Sequence, residues 1–299
     1  MEMKLRIEGL HKWFGTTHAL AGLDLNVRAG EVMGFLGPNG SGKSTAIRVV
    51  MGLLRADQGT VEVLGQDPWR DAVALHQQMV YVPGDVNLWP SLTGGEIVDL
   101  LGTLGPGLDR GRRDEMLERF DLDPTKRART YSKGNRQKVA LVAALASSAE
   151  MFIFDEPTSG LDPLMESVFQ DVVRELVADG RTVLLSSHIL AEVESLCDRV
   201  TIIRDGAAVE SGSLEDLRHL THLTMSVRTR DPLPIDALSE LSGVAAVEAE
   251  GTQQATLSIE RERLAAVMEQ LAPLGLVDIE SRPPTLEELF MRHYATDAS

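Results

Sequence analysis

EVMGFLGPNGSGKST, Glu31 to Thr45, carries in its last nine residues the full G-x-x-x-x-G-K-[ST] spacing. The neighbours come in the order that spacing requires. EVMGFL is apolar enough for a buried strand, and STAIRVVMGLL after Lys43 puts Ile47, Val50, Met51 and Leu54 on one helical face. Gly37, Gly40 and Gly42, with Pro38, Asn39 and Ser41 among them, let the backbone curl until successive N–H groups point inward at the positive end of the following helix. Such a nest holds phosphate oxygens. Lys43 is placed to reach β- and γ-phosphates, the Ser44 hydroxyl to join the oxygen shell of Mg2+, and Thr45 to hydrogen-bond a neighbouring phosphate. The stretch predicts an α/β fold with a site for ATP or GTP.

The bulk numbers bound what surrounds this site. The chain has 299 residues, long for one compact domain, which predicts one large and one small unit. Its formal net charge of -16 is spread over both parts, because residues 221–299 hold 6 Lys+Arg against 13 Asp+Glu. That argues against nucleic acid as a partner, and the arginines at Arg110, Arg112 and Arg113 read as a solvated helix start. A single cysteine, Cys197, excludes an internal disulfide. MEMKLRIEGL has no apolar core of the secretory kind, and the longest apolar run, Val139 to Ala146, is far short of the roughly 20 residues a membrane helix needs. A cytoplasmic chain is expected, with any membrane role resting on a partner.

Strand and helix signals divide the chain. LRIEGL and LDLNV (Leu23 to Val27) alternate like antiparallel strands. Further strands are expected at Thr60–Leu64, Met79–Val82, Met151–Phe154, Thr182–Ser186 and Val200–Arg204, several of them continuously apolar as in a parallel sheet covered on both faces. Between Gly84 and Glu150 strand signals vanish and helical ones take over, with Met116, Leu117 and Phe120 on one face. Ser213 and Asp216 are spaced for a helix start. Beyond about His222 the pattern reads βαββαβ: Met225 and Val227, then Leu264, Val267, Met268 and Leu271 on a helix face, with Ala255, Leu257 and Ile259 before it and Val277 and Ile279 after it. A last helix is expected after Pro283 and Pro284, with Thr285 and Glu288 as its capping box and Leu286, Leu289 and Phe290 on its buried side.

YSKGNRQK (Tyr131 to Lys138), then MFIFDEPTSGLDP about 20 residues later, then His188 in LLSSHIL, resemble the signature, Walker B and switch histidine of the ATP-binding-cassette (ABC) ATPases. The resemblance covers residues from about 3 to 220. It implies a P-loop NTPase fold, a RecA-like core with an antiparallel β layer and a helical subdomain at about 85–150, followed by the small α+β unit at 222–299. It implies that Asp155 holds the Mg2+ shell, that Glu156 polarises the attacking water, and that His188 meets the γ-phosphate. Ser132 and Gly134 would meet the γ-phosphate of nucleotide bound to a second copy, across a dimer whose interface SGLD (Ser159 to Asp162) crosses. Phe14 matches the aromatic that stacks on adenine, where a tyrosine is usual; the alternative is that Trp13 and Phe14 are packed in the β layer.

Two departures stand out. Lys133 replaces a signature glycine, and it either points to solvent or adds a positive contact to the partner's nucleotide. After MVYV the family carries a glutamine that touches Mg2+, whereas this chain has Pro83, Gly84 and Asp85. Asp85 either supplies an oxygen in its place or belongs to a loop turn. The resemblance narrows to type-2 exporters, similar to drug and antibiotic-resistance exporters. It implies a homodimer at the cytoplasmic face of the membrane, docked near Asn87 to Leu100 on a separate integral membrane subunit. Trp89 is either an anchor there or packed. A soluble cassette ATPase acting on ribosomes or DNA is the alternative, and a phosphotransferase fails to explain the later motifs.

Overall fold

Every residue of β3 (Val32–Leu36) is buried, as a central strand covered on both faces must be. The computed structural model describes residues 2–219, 223–260 and 263–282. The chain divides into two units, Met1–Gly212 and Ser213–Ser299. In the first unit β1 (Met3–Phe14) and β2 (Thr17–Arg28) precede β3, which leads into α1 (Lys43–Val50). Next come β4 (Gln58–Val63), α2 (Ala72–Leu75), β5 (Met79–Val82), α3 (Gly94–Leu104), α4 (Arg110–Arg119) and α5 (Lys133–Leu145). The unit closes with β6 (Met151–Asp155), α6 (Pro163–Ala178), β7 (Thr182–Ser187), α7 (Leu190–Leu196), β8 (Arg199–Arg204) and β9 (Ala207–Ser213).

One sheet has the order β5-β6-β7-β3-β8-β9, and β3 pairs in parallel with β7 and β8. This is a doubly wound arrangement in which the carboxyl ends of β3, β6 and β7 lie side by side, the place where such sheets bind ligands. A second sheet, β2-β1-β4, is antiparallel. The strand expected at Thr60–Leu64 therefore joins the antiparallel layer, and its largely exposed residues explain why it lacks a continuous apolar run. Leu5, Ile7, Leu23 and Leu25 of that layer share one core with Met33 and Phe35 of β3 and with Ile47 and Val50 of α1. Full burial of each such side chain contributes about 1.5–3 kcal/mol.

The helical stretch is built on ordinary helix chemistry. Thr93 and Glu96 form a capping box at the start of α3, worth about 1 kcal/mol. Met116, Leu117 and Phe120 are buried, as their spacing predicts. The arginines opening α4 are mostly engaged: Arg113 Nε donates to Asp99 at 2.6 Å and Arg112 Nε to the Leu145 carbonyl at 2.8 Å, while Arg110 is exposed.

The second unit holds α8 (Leu214–His219), with the Asp216 N–H donated to Ser213 Oγ at 2.9 Å. Then follow β10 (Leu223–Thr229), α9 (Ile235–Ser239), β11 (Val244–Ala249), β12 (Gln254–Ile259), α10 (Leu264–Leu271) and β13 (Leu276–Arg282). The sheet order β11-β12-β10-β13 with antiparallel pairs is the ferredoxin-like form of βαββαβ. Met225, Val227, Leu257, Ile259, Val267 and Leu271 form its core. Val277 and Ile279 alternate as expected but stay 57% and 41% exposed, because β13 lies at the sheet edge. The helix expected after Pro284 lies outside the described residues.

Candidate nucleotide site

Between β3 and α1 the chain must turn sharply, and Gly42 at φ +110° caps α1 in a conformation that L side chains rarely adopt. A Cβ at Gly42 would also lie 2.8 Å from the Ala19 carbonyl oxygen. The loop so formed lines a cleft of about 310 Å3 with Pro38, Asn39, Gly40, Gly42, Lys43, Ser44 and Thr45. Lys43 is buried, and its Nζ donates to the carbonyls of Gly37 at 2.6 Å and Pro38 at 3.2 Å. Burial pulls the Lys43 ammonium below its ordinary pKa, while Glu156 and Asp155 oppose that shift. Ser41 Oγ is buried without a hydrogen-bond partner among the described residues.

β6 delivers the two acidic residues. Asp155 ends the strand, accepting Ser44 Oγ at 3.1 Å on Oδ2 and Ser186 Oγ at 2.7 Å on Oδ1. Its carboxylate is thereby fixed beside the Ser44 hydroxyl. These are hard oxygen donors, and among the described residues no cluster of three or more His, Cys, Asp or Glu is arranged to hold a metal. That donor set fits Mg2+, which binds through one or two protein oxygens together with substrate phosphates. Glu156 follows at φ +52°, a strained backbone for a glutamate, of the kind that clusters at functional sites. Its Oε1 lies 3.2 Å from His188 Nδ1 and 4.0 Å from Lys43 Nζ. Glu156, His188, Lys43, Ser44 and Asp155 are thus brought to one place from three separate sheet ends.

Other expected residues lie elsewhere. Phe14 is 49% exposed at the β1–β2 hairpin, which removes the reading that it packs in the β layer. It does not line the cleft; Thr17, His18 and Ala19 of the same hairpin do. Trp13 is half-buried and stacks on His18 at 4.3 Å and on His11 at 5.3 Å between ring centroids, the two imidazoles being hydrogen-bonded to each other. Ser132 caps α5 by accepting the Asn135 N–H at 3.2 Å, and neither it nor Gly134 lines the cleft of its own chain. A Cβ on Gly134 would collide with the Gly160 carbonyl oxygen, so only glycine lets the signature turn rest on the segment after Glu156. Lys133 is exposed, as the solvent-facing reading has it. Its Nζ donates to Ser159 Oγ of the same chain at 2.8 Å.

The loop after β5 departs as its sequence suggests. Asp85 is exposed and does not line the cleft, and the group set against Asp155 and Glu156 is the backbone of Gly84. A side chain at Gly84 would begin 2.9 Å from the Asp155 carbonyl oxygen, leaving no room here for a glutamine. Tyr81, which sequence reasoning missed, stands beside Asp155. Burial first and that carboxylate second push its phenol up to about 12. Also missed were Ser186, a polar residue in an apolar strand, and Asp205 and Gly206, whose successive positive φ values make the tight β8–β9 turn that closes one side of the cleft. An Asp-Gly pair between two strands was a readable signal for that turn.

A doubly wound sheet with a phosphate loop and paired carboxylates at its strand ends defines a nucleoside triphosphatase. The model of the family described as ABC transporter matches residues 20–159. The chain is 37% identical over 298 residues, 96% of its own length and 94% of the other's, to the daunorubicin resistance ATP-binding protein DrrA3 of Streptomyces coeruleorubidus. A solved structure of the ATP-binding subunit of an ABC transporter superposes with a TM-score of 0.68 at 30% identity, covering 72% of this chain and 92% of that one. A dimeric bacterial ABC transporter cassette superposes with a TM-score of 0.64 at 25% identity, covering 70% and 98%. The chain belongs to the ABC transporter family. It is an ATPase, converting ATP and water to ADP and phosphate.

Proposed function

We propose that two copies of this chain close head to tail around two ATP molecules, and that each copy couples that closure to a separate membrane subunit exporting drug-like cargo. The observation that carries the dimer is the incomplete cleft: the chain's own Ser132 and Gly134 lie outside it, so the γ-phosphate side is left for a second copy's signature turn. The dimeric form of a structurally similar cassette supports the same reading.

Within each site the loop N–H groups, Ser41, Lys43 and Thr45 hold the phosphates, and Lys43 exchanges its carbonyl partners for phosphate oxygens. Ser44 and Asp155 are the residues that would hold Mg2+, which when bound offsets charge developing on the transferred phosphoryl group. Glu156 orients the attacking water and accepts its proton, a contribution of roughly 10^2 to 10^4 in rate. His188 keeps Glu156 in place through Nδ1 and meets the γ-phosphate through its other nitrogen. Phe14 offers an open ring at the hairpin end for adenine, with His18 lining the cleft beside it.

Coupling to the membrane runs through a groove of about 400 Å3 lined by Val86, Leu88, Trp89, Leu101, Leu104 and Ala140. Trp89 is 48% exposed there, available as an anchor for a membrane-subunit helix. Two residues upstream of Val86, Gly84 rests on Asp155 and Glu156, so a load on the groove reaches the water-orienting carboxylate. Among the described residues no helix is long and apolar enough to cross a membrane, consistent with a peripheral position at the cytoplasmic face. The drug-resistance role of the relative similar over nearly the whole length supports the cargo class. The second unit is an accessory domain, and its described residues hold no cluster arranged to bind a metal.

The test is to tag the chain in its native cells, solubilise membranes in mild detergent and identify stoichiometric partners by mass spectrometry. An integral membrane protein, with ATPase activity raised by candidate drugs, is expected. Ribosomes, or no partner at all, would contradict the exporter reading.

A further inference from the structure

One buried carboxyl near the site has no part in the chemistry above. Glu192, in the first turn of α7, is 6% exposed beneath the loop that carries His188. Ser187 Oγ donates to Glu192 Oε2 at 2.6 Å and accepts the Ile189 N–H at 3.0 Å. One hydroxyl therefore ties the residue before His188 to the residue after it, and both to Glu192. On the other side Thr158, buried two residues past Glu156, turns its hydroxyl toward the same carboxyl. Glu192 Oε1 has no hydrogen-bond partner among the described residues. Burial raises the Glu192 pKa against the opposing pull of the two hydroxyls.

Among the described residues no side-chain cap holds the start of α7. Its N-cap, Ile189, offers no side-chain acceptor, and the first backbone bond, from the Val193 N–H to the Ile189 carbonyl, is long at 3.3 Å. His188 is half-exposed and is held against Glu156 by a 3.2 Å contact. A tether through Ser187 thus stands where a cap would, and it reaches both segments that flank the reacting groups.

We infer that Glu192 is a positioning residue that holds His188 against Glu156 by bonding Ser187 and abutting Thr158. This rests on the proposed pairing of His188 with Glu156. A displacement of about 1 Å at a reacting group can cost up to a hundredfold, so loss of the tether is expected in kcat while ATP affinity, set by the phosphate loop, is kept.

The experiment measures single-turnover ATP hydrolysis and ATP binding by the full chain for Glu192→Ala, Glu192→Gln, Ser187→Ala, His188→Ala and the double variant Glu192→Ala/His188→Ala. Glu192→Ala and Ser187→Ala are each expected to slow turnover roughly tenfold or more with binding within about twofold. Glu192→Gln, which keeps a side-chain oxygen to accept from Ser187, is expected to recover most of that loss. In the His188→Ala background Glu192→Ala should cost nothing further. Ser187→Ala carries the test if Glu192→Ala does not fold. The inference is overturned if Glu192→Ala or Ser187→Ala turns over at the parent rate while His188→Ala is crippled, or if Glu192→Ala slows the His188→Ala variant as much as it slows the parent. Full activity of His188→Ala would overturn the His188 pairing itself, and the positioning role with it.

Discussion

His188 Nδ1 lies 3.2 Å from Glu156 Oε1, and the same oxygen stands 4.0 Å from Lys43 Nζ. One carboxylate thus links the end of β7, the end of β6 and the phosphate loop. Its backbone, at φ +52°, aims it where a strand continuing straight would not. The geometry sets Glu156 between the phosphate loop and His188.

Lys43 is expected to matter for binding and rate together. It is buried, with its charge opposed by burial and supported by Glu156, Asp155 and the Gly37 and Pro38 carbonyls, so a phosphate that replaces those carbonyls is a stronger partner. Lys43→Ala should lower kcat/KM by roughly a hundredfold or more. A coupled ATPase assay with nucleotide titration checks this, and a loss confined to kcat would show that Lys43 does not hold ground-state phosphate.

Tyr81 gives a pH signature. Its phenol moves from an ordinary 10.0 to about 12 through burial and the neighbouring Asp155. Between those values the unfolded chain has released a proton that the folded chain keeps, so stability is full below about 10 and falls as pH rises toward about 12. Tyr81→Phe should flatten that alkaline decline and remove the corresponding high-pH phase from the absorbance titration at the tyrosinate band. Unaltered curves would mean the phenol is open to solvent.

How much of this was legible in the sequence follows from how local each interaction is. The phosphate loop, the acidic pair after MFIF and the β and helix periodicities lie within single segments, where spacing alone fixes geometry. Ser186 and Tyr81 meet Asp155 only because β5, β6 and β7 are neighbours in the sheet, and no spacing in the chain encodes that. Lys133 is exposed as read, but its bond to Ser159 was not legible because that acceptor lies 26 residues on. Val277 and Ile279 have the alternation of buried residues, yet alternation names a face without saying whether an edge strand is covered. Phe14 was found by position in a motif, while the cleft wall itself is His18, four residues later on the returning strand.

The Lys133–Ser159 bond links the signature turn to the segment after Glu156, where the Ser159 N–H donates to the Glu156 carbonyl at 3.2 Å. Lys133→Met and Ser159→Ala should each slow hydrolysis by a similar factor, with the double variant no slower than either. Both are accessible, so unfolding free energies should move by about 0.5 kcal/mol or less. Fully additive rate losses would show that the two residues act independently.

Phe14→Ala should raise KM for ATP roughly two- to tenfold with kcat nearly unchanged, because stacking on a purine binds ground and transition states alike. If His18→Ala does this and Phe14→Ala does not, the adenine contact belongs to the Trp13–His18 stack.

The most direct measurement is the mass of the Glu156→Gln variant in solution with and without Mg-ATP, by light scattering after size exclusion, beside its hydrolysis rate. The expected result is retained ATP binding, hydrolysis reduced at least about a hundredfold, and a doubled mass only in the presence of ATP. Hydrolysis at the parent rate, or a monomer at saturating ATP, would contradict the account of a shared site driven by Glu156.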